Sequence, residues 1–146
     1  MRVEIDQSGR VEDLATGTAV AFSNGKYGAI FISAGVKREV VQILKTKPLY
    51  ALRFASLFFA TLVFILIKEA KIDSFLIDAE YPRDDIYVEE VIKKLFKRKR
   101  VVHPNILFGR IGKRSSAHAL AWKVHRTKGY GKKVAKVSLK EVLSLL

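Results

Sequence analysis

Two carboxylates stand close together where an apolar run ends, in the stretch SFLIDAEYPRDD at residues 74–85. If the run is a β-strand, Asp78 and Glu80 leave the same face of the sheet, because successive side chains alternate between faces. Hard oxygen ligands of this kind hold Mg²⁺ or Mn²⁺ in proteins. A bound cation would relieve the repulsion between the two acids, and the pair therefore predicts a metal site.

Two further residues suited to chemistry lie at the ends of other predicted elements. Asp6 ends the first strand, and His118 lies in the first turn of the helix that follows the fifth strand. Ligands gather beyond the carboxyl ends of parallel strands. If the first and fourth strands are neighbours, Asp6, Asp78 and Glu80 meet there as metal ligands. His118 would join them as a ligand or as a proton donor, since its ordinary pKa lies near 6.5.

Each of these residues also has a structural interpretation. Asp78 can form a turn or a helix cap, because its side chain accepts backbone hydrogen bonds. Glu80 can pair with Lys71 or Arg83 at the surface, and His118 can belong to the capping turn of its helix. The sequence leaves these interpretations open, and it is the convergence of the four residues that favours a site.

The elements that would position the site begin with three strands. They cover RVEID, TAVAFS and YGAIFIS, and Asn24-Gly25 joins the last two as a hairpin because both residues tolerate positive φ. An amphipathic helix follows over residues 36–47. Pro48 is then predicted to open one long apolar helix that runs to about residue 70.

The rest of the chain alternates between strands and helices. FLID and NILFGRIG read as short apolar strands, PRDDIYVEEVIKKLFKRKR and SSAHALAWKVHRTK as helices, GYGKKVAK as a break, and VSLKEVLSLL as a last short helix. Trp122 lies off the centre of its helical stripe and is assigned to the core, whereas Tyr130, between two glycines, is a candidate for base stacking. The pattern predicts a single α/β domain over residues 1–146, with a mixed five-stranded sheet of three antiparallel and then two parallel strands, flanked by helices.

Composition restricts the class of protein. The chain has 146 residues and no cysteine, which excludes disulfides, thiolate metal sites and a cysteine nucleophile. A reducing compartment is expected, with the cytoplasm as the default location, and no signal peptide is recognisable. The high share of charged residues, with few Asn and Gln, favours a heat-adapted source. The uncharged run at residues 54–67 is shorter than the roughly 20 residues that a spanning helix needs, so it is predicted to be a buried helix, with a membrane segment as the alternative.

The formal net charge of +13 favours a polyanionic partner. Basic residues concentrate in three blocks of the last third, at 93–100, 110–116 and 125–136, where phosphate contact explains them better than a solvated face. The partner is predicted to be nucleic acid, with no membrane expected and a homodimer left open. The residues predicted to bind it are Lys97, Arg98, Lys113, Arg114, Arg126, Lys128, Lys132 and Lys133.

The order of elements, with VEIDQSG on strand one, FLIDAEY on strand four and SAHALAWKV on the last long helix, resembles the ribonuclease H-like superfamily. Asp6, followed by Ser8 and Gly9, is similar to the superfamily's first acid. Asp78 resembles the acid that closes strand four in ribonuclease H, and Glu80 resembles the glutamate of Holliday-junction resolvases. At the position of the last family acid this chain has His118, as some members do.

The resemblance implies a nuclease that uses Mg²⁺ or Mn²⁺ to cut structured nucleic acid, such as an RNA/DNA hybrid, junction DNA or structured RNA. One family ligand is missing, because the first long helix carries no acid; Glu39 precedes it and Glu69 follows its apolar run. Either Glu80 supplies that ligand or the metal site is incomplete. The alternative function is therefore a non-catalytic nucleic-acid-binding protein that kept the fold and lost the metal site.

Overall fold

The structure of this protein is a computed structural model that describes residues 2–131 and 133–146. Lys132, one of the residues predicted to bind nucleic acid, lies outside the described residues. The described chain is an α/β fold in which helices flank a mixed sheet. This agrees with the predicted fold class.

One six-stranded sheet organises the molecule, with the strand order β5-β4-β1-β2-β3-β6. The first three strands are antiparallel to one another, and β4 and β5 extend the sheet from β1 with parallel pairing. The predicted parallel placement of strands four and five is thus confirmed. The strands are β1 (Val3–Ser8), β2 (Thr18–Ser23), β3 (Gly28–Ile32), β4 (Ser74–Asp78), β5 (Asn105–Gly109) and β6 (Val134–Lys136).

The described residues form six α-helices, of which the last follows β6, and one short 3-10 helix at Pro82–Asp84. The α-helices are α1 (Ala34–Thr46), α2 (Pro48–Ala51), α3 (Phe54–Ile67), α4 (Asp85–Arg98), α5 (Ser116–Arg126) and α6 (Leu139–Leu143). Serine caps mark three helix starts, since the hydroxyls of Ser33, Ser115 and Ser138 accept backbone N–H groups of the first turn. The Asn24-Gly25 hairpin also forms as predicted, and both residues have positive φ.

The two faces of the sheet carry different cores. Large side chains such as Ile5, Phe22 and Ile32 pack against α1, α3 and α4 in the main core. On the other face, small residues such as Ala19 and Ala21 pack against α5. Small side chains on β2 and β3 let α5 lie close to the sheet, beside the carboxyl end of β1.

The sheet has six strands instead of the predicted five. The additional strand, β6, lies in the segment that was predicted to be a break, and it pairs in parallel with β3. Three residues are too few to show the alternation that identifies a strand. The edge of β3 determines this pairing, because it presents backbone groups that need partners.

The single long helix predicted from Pro48 to about residue 70 is also wrong in part. Pro48 opens only the four-residue α2, and the backbone leaves helical geometry at Arg53 before α3 begins. Leu52 and Arg53 are ordinary helix formers, so their residue types do not indicate the break. From Ser56 to Ile67 every side chain of α3 is buried, which confirms the prediction of a buried helix. Within residues 2–131 and 133–146, no helix combines the length and the apolar character needed to cross a bilayer.

Candidate metal centre

Strand register brings Asp6 and Asp78 side by side. Ile5 of β1 pairs with Ile77 of β4 in parallel register, and each aspartate is the next residue of its strand. Both aspartates therefore point to the face of the sheet opposite the main core, which Ile5 and Ile77 join. Glu80 follows two residues after Asp78, where its backbone N–H bonds to the Asp78 carbonyl at 2.8 Å.

The three acids predicted to bind metal come together. One carboxylate oxygen from each of Asp6, Asp78 and Glu80 lies within 4.8 Å of the other two. Ligand oxygens of an octahedral magnesium ion, each about 2.1 Å from the metal, lie about 3–4 Å from one another. The three carboxylates are therefore close enough to bind one ion with small side-chain movements. They line a cavity of about 450 Å³ together with Gln7 and His118.

His118 joins the cluster through Asp6. Its Nδ1 lies 2.8 Å from Oδ2 of Asp6, and because a carboxylate only accepts, the imidazole Nδ1–H donates. The other oxygen of Asp6 accepts the Gln7 backbone N–H at 2.8 Å, and Asp78 accepts the Ile111 backbone N–H at 2.9 Å. A carboxylate has about four lone-pair sites, so both aspartates retain the capacity to bind a cation.

Burial and crowding raise the pKa of two of these carboxyls. Desolvation, followed by a hydrogen bond with Asp78 and the charges of Asp78 and Asp6, raises the pKa of Glu80 to about 7. Burial also raises the pKa of Asp6, against the lowering effect of its hydrogen bonds from His118 and Gln7. Because burial and neighbouring carboxylates disfavour the charged forms of Asp6 and Glu80, a divalent cation at this site would be stabilising.

Stability of the metal-free protein is expected to fall as pH rises from about 4.5 to 7. Because the pKa of Glu80 is raised in the folded state, the folded chain keeps a proton there that the unfolded chain has lost. The expected loss is about 2 kcal/mol, allowing for partial solvent screening. Thermal unfolding in EDTA across this pH range measures it, and added Mn²⁺ should restore the lost stability near pH 7. Glu80→Gln, which mimics the protonated acid, should show a clearly smaller decline; an equal decline would contradict the assignment to Glu80.

The donor set of the cavity fits a hard divalent cation. Three carboxylates converge, and no thiolate is present in the sequence to favour a softer metal. Gln7, which sequence reasoning missed, also lines the cavity, although its side chain leaves β1 on the face opposite to that of Asp6 and donates to the Tyr81 hydroxyl at 3.4 Å.

The loop between β1 and β2 reaches the site through contacts that the sequence did not indicate. Arg10 Nη1 lies 3.9 Å from Glu80 Oε2, and the Arg10 guanidinium lies over the Tyr81 ring at 5.2 Å. Tyr81 donates its hydroxyl to Glu12 at 2.8 Å, and Glu12 also contacts Arg10. This network fixes the segment after β4 and so restricts where Glu80 can lie. Loop residues that are distant in sequence carry no periodic signal that could have identified them.

The predicted phosphate-binding residues fall into separate groups. Lys113 lines the acidic cavity, and Arg114 follows it in the loop before α5. Arg110, which the prediction omitted although it belongs to the same basic block, lines the cavity as well. Arg126 lies on α5 with its guanidinium over the Trp122 ring.

Other basic residues lie farther from the acids. Helix α4 starts after the carboxyl end of β4 and ends before the amino end of β5, so Lys97 and Arg98 lie toward the opposite end of the sheet from the site. Arg98 also donates to the Leu145 carbonyl at 3.0 Å. Lys128 lines a separate cavity beside His125, and Lys133 contacts the Tyr27 hydroxyl. Their roles in binding stay predictions.

Comparison with protein-family models, curated proteins and solved structures found no match to this chain. Function therefore has to be argued from the chemistry of the site.

Proposed function

We propose that this chain hydrolyses phosphodiester bonds in structured nucleic acid, using Mg²⁺ or Mn²⁺ held by Asp6, Asp78 and Glu80. The observation that carries the proposal is the convergence of these carboxylates in one cavity. The cationic residues Arg110 and Lys113 line the same cavity. Acids suit a divalent cation, and the basic side chains suit a phosphate that approaches it.

The order and direction of β1 to β5 support the resemblance to the ribonuclease H-like superfamily. The chain departs from the superfamily mainly in lacking an acid on the first long helix, and α3 has only uncharged residues. Glu80 lies within the cluster of Asp6 and Asp78. This favours the arrangement in which Glu80 takes the place of the missing ligand.

Divalent ions would supply charge stabilisation at the phosphate and a water of lowered pKa. The chain's own residues have separable roles in the proposed reaction. Asp6, Asp78 and Glu80 provide the ligand oxygens, and Arg110 and Lys113 offset the negative charge of the nucleic acid backbone. His118 is 38% exposed and donates its Nδ1–H to Asp6, so Nε2 first takes up a proton from solvent, which gives the imidazolium, and can then protonate the departing oxygen.

A non-catalytic nucleic-acid-binding protein is the second candidate. The observation that favours it is the residue at the start of α5, where the superfamily's last acid is replaced by His118 hydrogen-bonded to Asp6. With a histidine in that place, the cavity offers three carboxylates. A protein of this kind would bind the same substrates without cutting them.

Metal-dependent cleavage of defined substrates tests the proposal. The full chain is incubated with a labelled RNA/DNA hybrid, a four-way DNA junction and a stem-loop RNA, each with Mg²⁺, with Mn²⁺ or with EDTA. We expect cleavage of at least one substrate that requires the metal. Binding of these substrates without cleavage in either metal would instead support the non-catalytic protein, and the absence of binding would contradict both functions.

A further inference from the structure

Trp122 is not a core residue, contrary to its assignment from sequence, because half of its surface is exposed. Burial of an aromatic ring of this size is strongly favourable, so an exposed tryptophan on a regular helix indicates a binding surface. The helix that carries Trp122 lies beside the acidic cluster.

Helix α5 runs beside β1 in the same direction. Ser115 donates to Glu4 at 2.9 Å, His118 to Asp6 at 2.8 Å, and His125 Nδ1 lies 3.1 Å from the Ser8 hydroxyl. The alternate residues 4, 6 and 8 of β1 thus meet the N-cap, the first turn and the last turn of α5 along one side of the helix. That side of α5 is next to the acidic cluster.

Trp122 lies on this side of α5, four residues after His118. Residues four apart are neighbours on a helix surface, and their side chains lean toward the helix amino terminus. The rise between the two residues is about 6 Å. The indole therefore lies one helical turn from the imidazole that contacts Asp6.

A cation accompanies the ring. The Arg126 guanidinium lies 4.6 Å from the centre of the Trp122 ring, and Arg126 is itself one turn further along α5. Aromatic rings stack on nucleobases, and arginine planes do the same while attracting phosphate. The side chains of His118, Trp122 and Arg126 thus form a row that leads from the acidic cavity along α5.

The sheet beside this row offers an apolar floor. Leu76 of β4 is in register with Glu4 and with Leu107 of β5, so both leucines belong to the face on which α5 lies, level with Ser115 at the start of the helix. Helices α3 and α4 cover the opposite face, and Leu107 remains 37% exposed. This face of the sheet is therefore partly open beside β4 and β5, on the side of α5 that carries His118.

We propose that Trp122 and Arg126 form a stacking platform for an unpaired nucleobase close to the phosphate held at the acidic cluster. The proposal rests on the proposed function and narrows its substrate class. The platform lies one helical turn along α5 from the residue that contacts Asp6. Substrates that present a single-stranded segment or an unpaired base there are preferred over a continuous duplex.

Trp122 is the only tryptophan of the chain, so its fluorescence reports stacking directly. The full-length Asp6→Asn variant, which should not cut, is titrated with a single-stranded 12-nucleotide thymidine oligomer and with a 12-base-pair duplex. We expect saturable quenching by the single strand and weak quenching by the duplex. In fluorescence anisotropy with a labelled oligomer, Trp122→Ala should lose about tenfold in affinity for the single strand, and Trp122→Phe should lose less.

Tyr27→Ala is the matched control and should leave both affinities unchanged, because Tyr27 is also exposed but lies directly before β3, at the end of the sheet opposite to the acidic cluster. Equal affinities of wild type and Trp122→Ala, or equal quenching by single strand and duplex, would overturn the platform while leaving the proposed function intact. Quenching with no cleavage by the wild-type protein would support the platform and contradict the hydrolase. If neither nucleic acid binds, both proposals are wrong.

Discussion

The Asp6→Asn variant is expected to lose metal-dependent cleavage while keeping its thermal stability or gaining slightly. Asp6 is only 4% exposed and contributes a carboxylate to the cluster with Asp78 and Glu80. Removing its charge should weaken Mn²⁺ binding by at least about 100-fold, since even outer-shell changes cost 10–100-fold. Cleavage should fall by at least about 1,000-fold, as losses of well-placed electrostatic groups do.

Thermal stability is expected to stay the same or to rise slightly, whereas Mn²⁺ binding and cleavage fall. Burial raises the pKa of Asp6, which means that its charged form is less stable in the folded protein than in water. Asparagine keeps an oxygen for the Gln7 backbone N–H and removes the buried charge, and its amide Nδ2 can donate to His118 Nδ1 once the imidazole proton moves to Nε2. Calorimetric titration with Mn²⁺, thermal unfolding and the cleavage assay measure the three effects. A residue that trades stability for function in this way is typical of an active site.

Asp73→Asn is the matched control for Asp6→Asn. Asp73 is exposed and lies directly before β4, at the end of that strand opposite to Asp78, and the substitution makes the same change in net charge. It should leave Mn²⁺ binding and cleavage within about twofold, because exposed charges that far away are screened. If Asp73→Asn and Asp6→Asn had equal effects, or if Asp6→Asn bound Mn²⁺ normally, the assignment of Asp6 as a metal ligand would be wrong.

Much of the site could be predicted because side-chain alternation and strand pairing position it. Alternation along β1 and β4 determines which face Asp6 and Asp78 share, and the strand-helix-strand order makes β4 parallel to β1. Glu80 could be placed beside them because it is only two residues further along the chain. His118 could be placed because a serine cap fixes where α5 begins.

What could not be predicted depends on tertiary contacts. The sequence shows Gln7 at an otherwise apolar position of β1, but it does not indicate that Gln7 lines the cavity. Arg10 approaches Glu80 through a loop, and loops have no period. Trp122 was assigned to the core although it lies off the centre of its helical stripe, and the structure leaves half of its surface exposed.

The positions of the basic residues in the fold could not be predicted from the sequence either. Sequence places Lys97 and Lys113 in neighbouring blocks, and both residues were predicted to bind nucleic acid. Helix α4 carries Lys97 toward the far end of the sheet, while the loop after β5 returns Lys113 to the acidic cavity. Charge can be counted from sequence, but the end of the sheet at which it lies depends on the direction of each connection.

Lys37→Met is expected to destabilise the fold by about 3–5 kcal/mol. Lys37 is fully buried, and its ammonium donates to the backbone carbonyls of Arg10, Asp13 and Thr16 at 3.0, 2.6 and 2.7 Å. Burial lowers its pKa to about 8, so at pH 7 the group remains mostly protonated and has one proton for each carbonyl. Methionine fills similar space but leaves three buried acceptors without a donor.

The same substitution should loosen the loop that carries Arg10 and Glu12 toward Glu80, and cleavage is therefore expected to fall before the protein unfolds. Urea unfolding measures the stability change, and hydrogen exchange of the amides at residues 10–17 measures the loop. Lys45→Met, on the exposed side of the same helix, makes the same charge change and should alter stability by less than about 1 kcal/mol. If both variants lost equal stability, the loss would come from helix α1 as a whole, and Lys37 would have no special role in holding the loop.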